Sequence, residues 1–299
     1  MKFIIWGHKL HESTHSYIHS SYKRALDFLG YETYWVDHRD DISSIDLSDA
    51  VFIVEHAKHH GMPFLKNCKY VELSFRNEFE EHDIPKENII TFRHSCDIID
   101  PETFEHKEVE KIGELSYWDK TTRTLYQAWG TNLLPHEIDY ENPIKFNRNS
   151  KYLNYIGMLN CEKELWWWAE EFATEIANKH GVEFKLFTQS ESDEENQKLI
   201  QNSFLCPDFR CDWHLRCGYI PCRVFKNISY GRVCGTNSPW IKQLFGDYIV
   251  YGGTPRTLYE NLLDAEINNK VNMRESMLYV RDNHTYINRV QNILKLLGD

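Results

Sequence analysis

No stretch of this 299-residue chain runs apolar for the roughly 18 residues that a membrane-spanning helix needs, so no integral membrane segment is expected. The opening MKFIIWGHKL is short and interrupted by His8 and Lys9, and does not read as a secretory signal. Positive charge is scarce. The 34 Lys and Arg face 45 Asp and Glu, a formal net charge of −11, whereas a duplex-binding protein presents a basic face; nucleic acid is not an expected partner. Glycine fingerprints are missing. No G-x-x-x-x-G-K-[ST] occurs, which argues against a P-loop nucleotidase, and no G-x-G-x-x-G follows a predicted strand, which removes the dinucleotide fingerprint. Tight metal knuckles are missing too: Cys206, Cys211, Cys217 and Cys222 are spaced by four, five and four residues around His214. The eight Cys lack the density of a disulfide scaffold, so buried free thiols in a reducing cytoplasm are expected.

What is present is a pattern that starts twice. KFIIW (2–6) is a predicted strand running into Gly7, followed by a polar loop, a helical stretch closed by Gly30, and the strand ETYWVD. Further apolar runs at 50–57, 69–75 and 88–94 suit buried parallel strands. Near residue 151 the unit restarts: KYLNYIG is a strand ending in Gly157, CEKELWWWAEEFATEIANKHG a helix capped by Gly181, and VEFKLFT the next strand. The predicted fold class is α/β, with two Rossmann-like doubly wound domains facing across a cleft. The domains expected are 1–120, a linker at 121–150, a second domain at 151–279, and a terminal helix at 280–299 packing back on the first. Ligands in such sheets sit beyond the carboxyl ends of the strands. Asp37, ending the second strand, stands where a ribose-binding acid would sit.

Within IPCRVFKNISYGR (220–232), Val224, Phe225 and Ile228 share a helical face after Pro221, and Gly231 can close the run. Its first turn carries Arg223 and Lys226, cations where the helix dipole is already positive. A multiply charged anion such as a diphosphate would reconcile them; two solvated surface charges would also account for them. GTNSP (235–239) offers small residues for close approach to a ligand, or an ordinary strand-to-helix turn.

The layout P-x-R-x-F-x-x-x-x-x-G at 221–231, read as RVFKNISYG from Arg223, resembles the R-x-F-E-A-x-A-x-G segment with which GT-B glycosyltransferases grip a nucleoside diphosphate. LYQAWGTNLLPHEI (125–138) followed by KYLNYIG likewise resembles their crossover from acceptor to donor domain. The organisation is similar to small nucleotide-sugar-dependent transferases of bacteria, phages and large DNA viruses over nearly the whole chain. The resemblance implies a cytoplasmic, metal-independent hexosyl-, deoxyhexosyl- or pentosyltransferase. It would use a UDP- or GDP-sugar as co-substrate, need no cofactor, and act on a glycan acceptor. It implies Arg223 as phosphate ligand, with Gly157, Lys226, Asn227 and Thr236 as donor-binding neighbours. One position departs: Lys226 stands where the family usually carries a ribose-binding Glu.

GHKLHESTHSYIH (7–19) places His8, His11, His15 and His19 after the first strand. Metal binding, structural filling of the turn, and general-base work on a sugar hydroxyl all remain open for these imidazoles. Because inverting GT-B enzymes often hold a base in this loop, the resemblance points to His15, with His11 second. The alternative functions are a nucleotide-dependent oxidoreductase or epimerase and a non-catalytic nucleotide- or sugar-binding protein.

Overall fold

The computed structural model describes residues 1–9, 14–54, 61–72, 76–99, 106–157, 163–187 and 192–298. The chain divides into two compact units, 1–100 with 105–134 and 285–299, and 101–104 with 135–284.

The first unit is built on β1 (Lys2–Trp6), α1 (Thr14–Phe28), β2 (Glu32–Val36), β3 (Val51–Val54), β4 (Lys69–Glu72), α2 (Arg76–Glu81), β5 (Ile89–His94), β6 (Glu110–Gly113), β7 (Ser116–Asp119) and β8 (Thr124–Gln127). Its eight-stranded sheet has the order β2-β1-β3-β4-β5-β8-β7-β6. The ladders joining β2, β1, β3, β4, β5 and β8 are parallel, and β7 and β6 close the edge antiparallel. Position explains sequence here. Phe3, Ile4 and Ile5 of β1 and all four residues of β3 are buried because both faces of a central parallel strand are covered, whereas edge strand β2 is only half-buried. α1 buries Tyr17, Ile18, Tyr22, Ala25 and Leu26, a stripe at helical spacing.

Residues 124–127 fall within the stretch read from sequence as linker, yet all four are buried as β8 between β5 and β7. A four-residue strand flanked by turn formers gives too short a signal to be read against its surroundings.

The second unit comprises β9 (Tyr152–Ile156), α3 (Lys163–Lys179), β10 (Glu183–Phe187), α4 (Asp193–Gln201), β11 (Cys206–Asp208), α5 (Asp212–Cys217), α6 (Cys222–Ser229), β12 (Cys234–Thr236), α7 (Pro239–Phe245), β13 (Val250–Tyr251), α8 (Pro255–Ile267) and α9 (Met273–Asn283). β10 pairs with β9, and β11, β12 and β13 form a second ladder, all parallel. β11 runs beside β9 without a continuous ladder. The Phe204 amide donates to the Tyr152 carbonyl at 2.8 Å, and the Asn154 amide to Ser203 Oγ at 2.9 Å. The spatial order is therefore β10-β9-β11-β12-β13, which repeats the β2-β1-β3-β4-β5 order of the first unit. Leu153, Tyr155, Ala173, Leu205, Leu258 and Leu262 fill its core.

The C-terminal run, expected as one helix, is two: α9 and α10 (Tyr286–Leu297). Thr285 breaks it by a reciprocal cap with Asn288, whose Oδ1 accepts from the Thr285 amide at 2.9 Å. α10 belongs to the first unit, where Tyr286 meets Tyr22 edge-on at 4.9 Å. Buried Arg289 donates there to the carbonyls of Glu114 and Trp129 at 3.0 Å each.

Among the described residues no helix is long and apolar enough to cross a membrane.

Candidate functional site

In an open parallel sheet, the crossovers from the first strand leave in opposite directions, and the crevice between them gathers ligands. In the second unit that crevice lies between the carboxyl ends of β9 and β11. Helix α6 starts there, with Pro221 at its N-cap position, and is driven inward by Val224, Phe225 and Ile228, each 0% exposed. This burial orients Arg223, on the first turn, across the end of β9. Its Nε and Nη2 donate to the Ile156 carbonyl at 3.1 and 2.6 Å, and Nη1 donates to Tyr155 Oη and, at 3.2 Å, to Asp208 Oδ1. The guanidinium lies 4.0 Å over the Tyr155 ring centroid, a cation–π contact. A guanidinium has five N–H donors; one, on Nη2, has no protein partner among the described residues.

Gly157 makes this placement possible. Its φ is +116°, and a Cβ there would overlap Arg223 Nη2. Its own amide donates to the Phe187 carbonyl at 2.7 Å, so Gly157 contributes room for the arginine, not a donor of its own.

Asp208, wholly buried at the end of β11, is the centre of the cluster. Arg210 Nη2 reaches its Oδ1 at 2.7 Å, and Thr236 Oγ1, from neighbouring β12, donates to Oδ2 at 3.3 Å. Asn237 fixes the Arg210 peptide, with Oδ1 accepting from its amide at 2.7 Å and Nδ2 donating to its carbonyl at 2.9 Å. Two guanidiniums on one carboxylate leave a net positive charge in a largely desolvated place. Lys226, one turn along α6, adds to it; burial lowers its pKa to about 8, with Arg223 acting in the same direction and Cys222 and Asp193 opposing. Beneath the cluster, Tyr259 is 0% exposed and its hydroxyl has no hydrogen-bond partner among the described residues.

Of the residues expected at the donor site, Gly157, Arg223 and Thr236 converge on this cluster, with Lys226 beside it. Asn227 faces the sheet instead, donating to the Cys206 carbonyl at 3.1 Å. The GTNSP loop is a connection: Ser238 Oγ caps α7 by accepting from the Ile241 amide at 3.3 Å. Sequence reasoning missed Asp208, Arg210 and Tyr155. The one available signal was CPDFR (206–210), a Pro-containing run with an acid two residues before an arginine. Cys206, Cys211, Cys217 and Cys222 are buried and form no disulfide. Cys211 Sγ lies 3.1 Å from His214 Nδ1, and burial, reinforced by Arg210, lowers the His214 pKa to about 4.

The corresponding edge of the first unit carries imidazoles. Gly7 and His8 both take left-handed φ, +86° and +55°, at the end of β1. The Gly7 carbonyl accepts from Trp35 Nε1 at 2.8 Å and from His19 Nδ1 at 2.9 Å, so the ring proton of buried His19 sits on Nδ1. The His8 ring lies 4.9 Å from His15 and 5.2 Å from His19. His15 stands on the first turn of α1, half-buried, one turn before His19; His11 lies outside the described residues. His19, Phe92 and Trp129 help line a cavity of about 20 Å³, room for one water. Asp37, at the proposed ribose position, is engaged by the Lys9 amide at 3.5 Å and by His38. Among the described residues no three His, Cys, Asp or Glu side chains gather as metal ligands do.

No family model matches the chain, and no curated protein matches it. Among solved structures, a chain described as a LacI-family transcription regulation repressor from Corynebacterium glutamicum is 9% identical, with 89% of this chain and 91% of that one covered. Its TM-score of 0.21 carries no argument about fold or function.

Proposed function

We propose that this chain is a GT-B-type glycosyltransferase, taking a nucleoside-diphosphate sugar at the second unit and a hydroxyl acceptor at the first. The observation that supports it most directly is the pair Arg210 and Arg223 on buried Asp208 at the switch point of the second unit. That arrangement suits a compact, multiply charged anion. The diphosphate would take the remaining Arg223 N–H above Gly157, the Lys226 ammonium and the amino end of α6. In the reaction an acceptor hydroxyl attacks the anomeric carbon. A new glycosidic C–O bond forms, the bond to the phosphate oxygen breaks, and the electron pair leaves with the nucleoside diphosphate. Arg223 and Lys226 stabilise the charge that develops there. The hydroxyl proton passes to the His15 imidazole, set beside His8 in the first unit.

A thermal-shift series with UDP, GDP, inorganic pyrophosphate and NAD tests the binding half of this reading. A ligand at a hundred times its Kd raises stability by about 2.7 kcal/mol, so UDP or GDP should shift the transition clearly and NAD should not. Turnover of UDP- and GDP-sugars then separates a transferase from a binder. No response to any nucleoside diphosphate would sink the proposal.

A further inference from the structure

Next to the guanidinium cluster, the chain exposes an aromatic ring that the anion site leaves unused. Trp213 is 51% exposed, whereas Trp6, Trp118 and Trp129 are all under 10%. Its place is not accidental to the cluster. It lies on the first turn of α5, three residues after Arg210, at the carboxyl end of β11. The ring meets His214 at 5.3 Å, 66° between planes, and His214 stacks on Tyr219 at 4.6 Å and 26°. His214 is held from its other side by Cys211, with Sγ 3.1 Å from Nδ1. Arg210 is held on Asp208 and Trp213 follows it by three residues on the next helix, so the Trp213–His214–Tyr219 ring group continues directly from the cluster.

A hydrophobic indole held half in water is unfavourable unless something covers it, and single exposed aromatics are ordinary on protein surfaces. Three features distinguish this one. It meets edge-on a His214 ring that is itself stacked on Tyr219, and a ring held by such a contact loses less freedom when a ligand binds against it. The brace is a half-buried imidazole that stays uncharged at neutral pH, so the stack adds no cation to repel or attract the ligand. And it follows the Arg210–Asp208–Arg223 cluster, the anion site of the function proposed above. A ligand matching both features has an anionic group and a planar ring system joined by a short linker, which is the chemistry of a nucleotide.

We propose that Trp213 is the stacking platform for the base of the nucleotide whose phosphates sit at Arg210, Arg223 and Lys226. This rests on the anion-site reading above and adds to it the residue that distinguishes a nucleotide from a bare diphosphate. Every base has a π face, so stacking there contributes affinity with little discrimination among bases.

Calorimetric titration of wild type, Trp213→Ala and Trp213→Phe with inorganic pyrophosphate, UDP, GDP and UDP-glucose tests it. In Trp213→Ala, UDP and GDP should bind about tenfold more weakly while pyrophosphate is unchanged, and Trp213→Phe should restore most of the loss. Equal loss for pyrophosphate and the nucleotides would make Trp213 a structural support and overturn the proposal. So would unchanged UDP and GDP affinity in the alanine variant, and so would a loss confined to UDP-glucose, which would give the platform to the sugar. If wild type binds neither pyrophosphate nor a nucleoside diphosphate, the anion site itself fails, and the stacking role falls with it.

Discussion

The two units end their first strands with the same backbone device and then use it for different chemistry. Gly7 closes β1 with φ +86° and donates to the last residue of β2, the Val36 carbonyl, at 2.7 Å. Gly157 closes β9 with φ +116° and donates to the last residue of β10, the Phe187 carbonyl, also at 2.7 Å. Both turn the chain out of the sheet where an L side chain is strained. What approaches the turn differs. At the first unit, His19 and Trp35 donate to the Gly7 carbonyl and His8 and His15 lie alongside, giving an edge of imidazoles. At the second, Arg223 lies over Gly157 and shares Asp208 with Arg210, giving an edge that holds a permanent positive charge. On the function proposed above, the imidazole edge of one unit would accept the proton and the guanidinium edge of the other would hold the anion.

The sharpest way to break this division is to remove the imidazole assigned to proton transfer. His15→Ala should lower turnover about a hundredfold or more at saturating donor and acceptor, with nucleoside-diphosphate affinity unchanged. Steady-state kinetics and calorimetry on the same preparation decide it. Full turnover in the variant would return the histidine edge to a structural role and leave the units without the proposed contrast.

Next in size is the guanidinium edge. Arg223→Ala removes the remaining N–H donor and also strips Ile156, Tyr155 and Asp208 of a partner. Diphosphate affinity should fall about thirtyfold, roughly 2 kcal/mol for a charge-assisted contact. Asp208 keeps Arg210, so the unit should lose stability without unfolding. Gly157→Ala reaches the same end through the backbone. Its Cβ displaces Nη2, and the left-handed conformation adds about 1–3 kcal/mol of strain. Diphosphate binding should weaken about tenfold, while Gly7→Ala, strained in the same way in the other unit, should leave it intact. Equal effects of the two glycine substitutions would show that the edges are not specialised.

The same comparison explains what could be read from sequence. KFIIW and KYLNYIG announce themselves because a central parallel strand is apolar on both faces, and the restart of strand, glycine and helix is audible at both places. β11 and β12 have three residues each, CPD and CGT, below any periodicity, so the acid that organises the site was not legible. Arg223 was found because cations on a helix's first turn break a local rule. Its partner Asp208 lies fifteen residues earlier and meets Thr236 only through the pairing of β11 with β12. Asn227, expected with Lys226 and Thr236 as a donor-binding neighbour of Arg223, faces the sheet because adjacent helical residues point about 100° apart. The terminal run reads as one amphipathic helix until the Thr285–Asn288 cap stops it, a hydrogen bond that hydrophobic spacing does not report.

Lys226 gives a smaller, signed effect. Its folded pKa of about 8 lies below the ordinary 10.5, so the unfolded chain binds more protons between those values, and this residue's contribution to stability rises with pH across that window. Anion binding should run the other way. The ammonium is roughly nine-tenths charged at pH 7 and one-tenth at pH 9, so diphosphate affinity should fall several-fold over that interval. Lys226→Met should flatten the decline, measured by calorimetry with inorganic pyrophosphate at both pH values. A decline of the same size in the variant would assign it to another group.

The smallest expected effect is that of metal removal. Transferases that hold a donor diphosphate through a divalent ion place it on paired carboxylates, and the ion's charge is what neutralises the leaving group. Here the carboxylate at the anion edge, Asp208, is already committed to Arg210, Arg223 and Thr236, and it is wholly buried. The acids DHRDD (37–41) of the first unit are likewise engaged, Asp37 by His38 and Asp40 by Lys9 at 2.9 Å. On the proposed function the positive charge at the diphosphate would come from Arg223, Lys226 and the start of α6, none of which a chelator withdraws. Turnover in excess EDTA should therefore stay within about twofold of the untreated rate, a barrier change under roughly half a kcal/mol, and added magnesium or manganese should move it no further. Loss of turnover in EDTA with recovery on adding manganese would show that a cation carries the leaving-group charge, and the guanidinium edge would lose the role that separates it from the histidine edge.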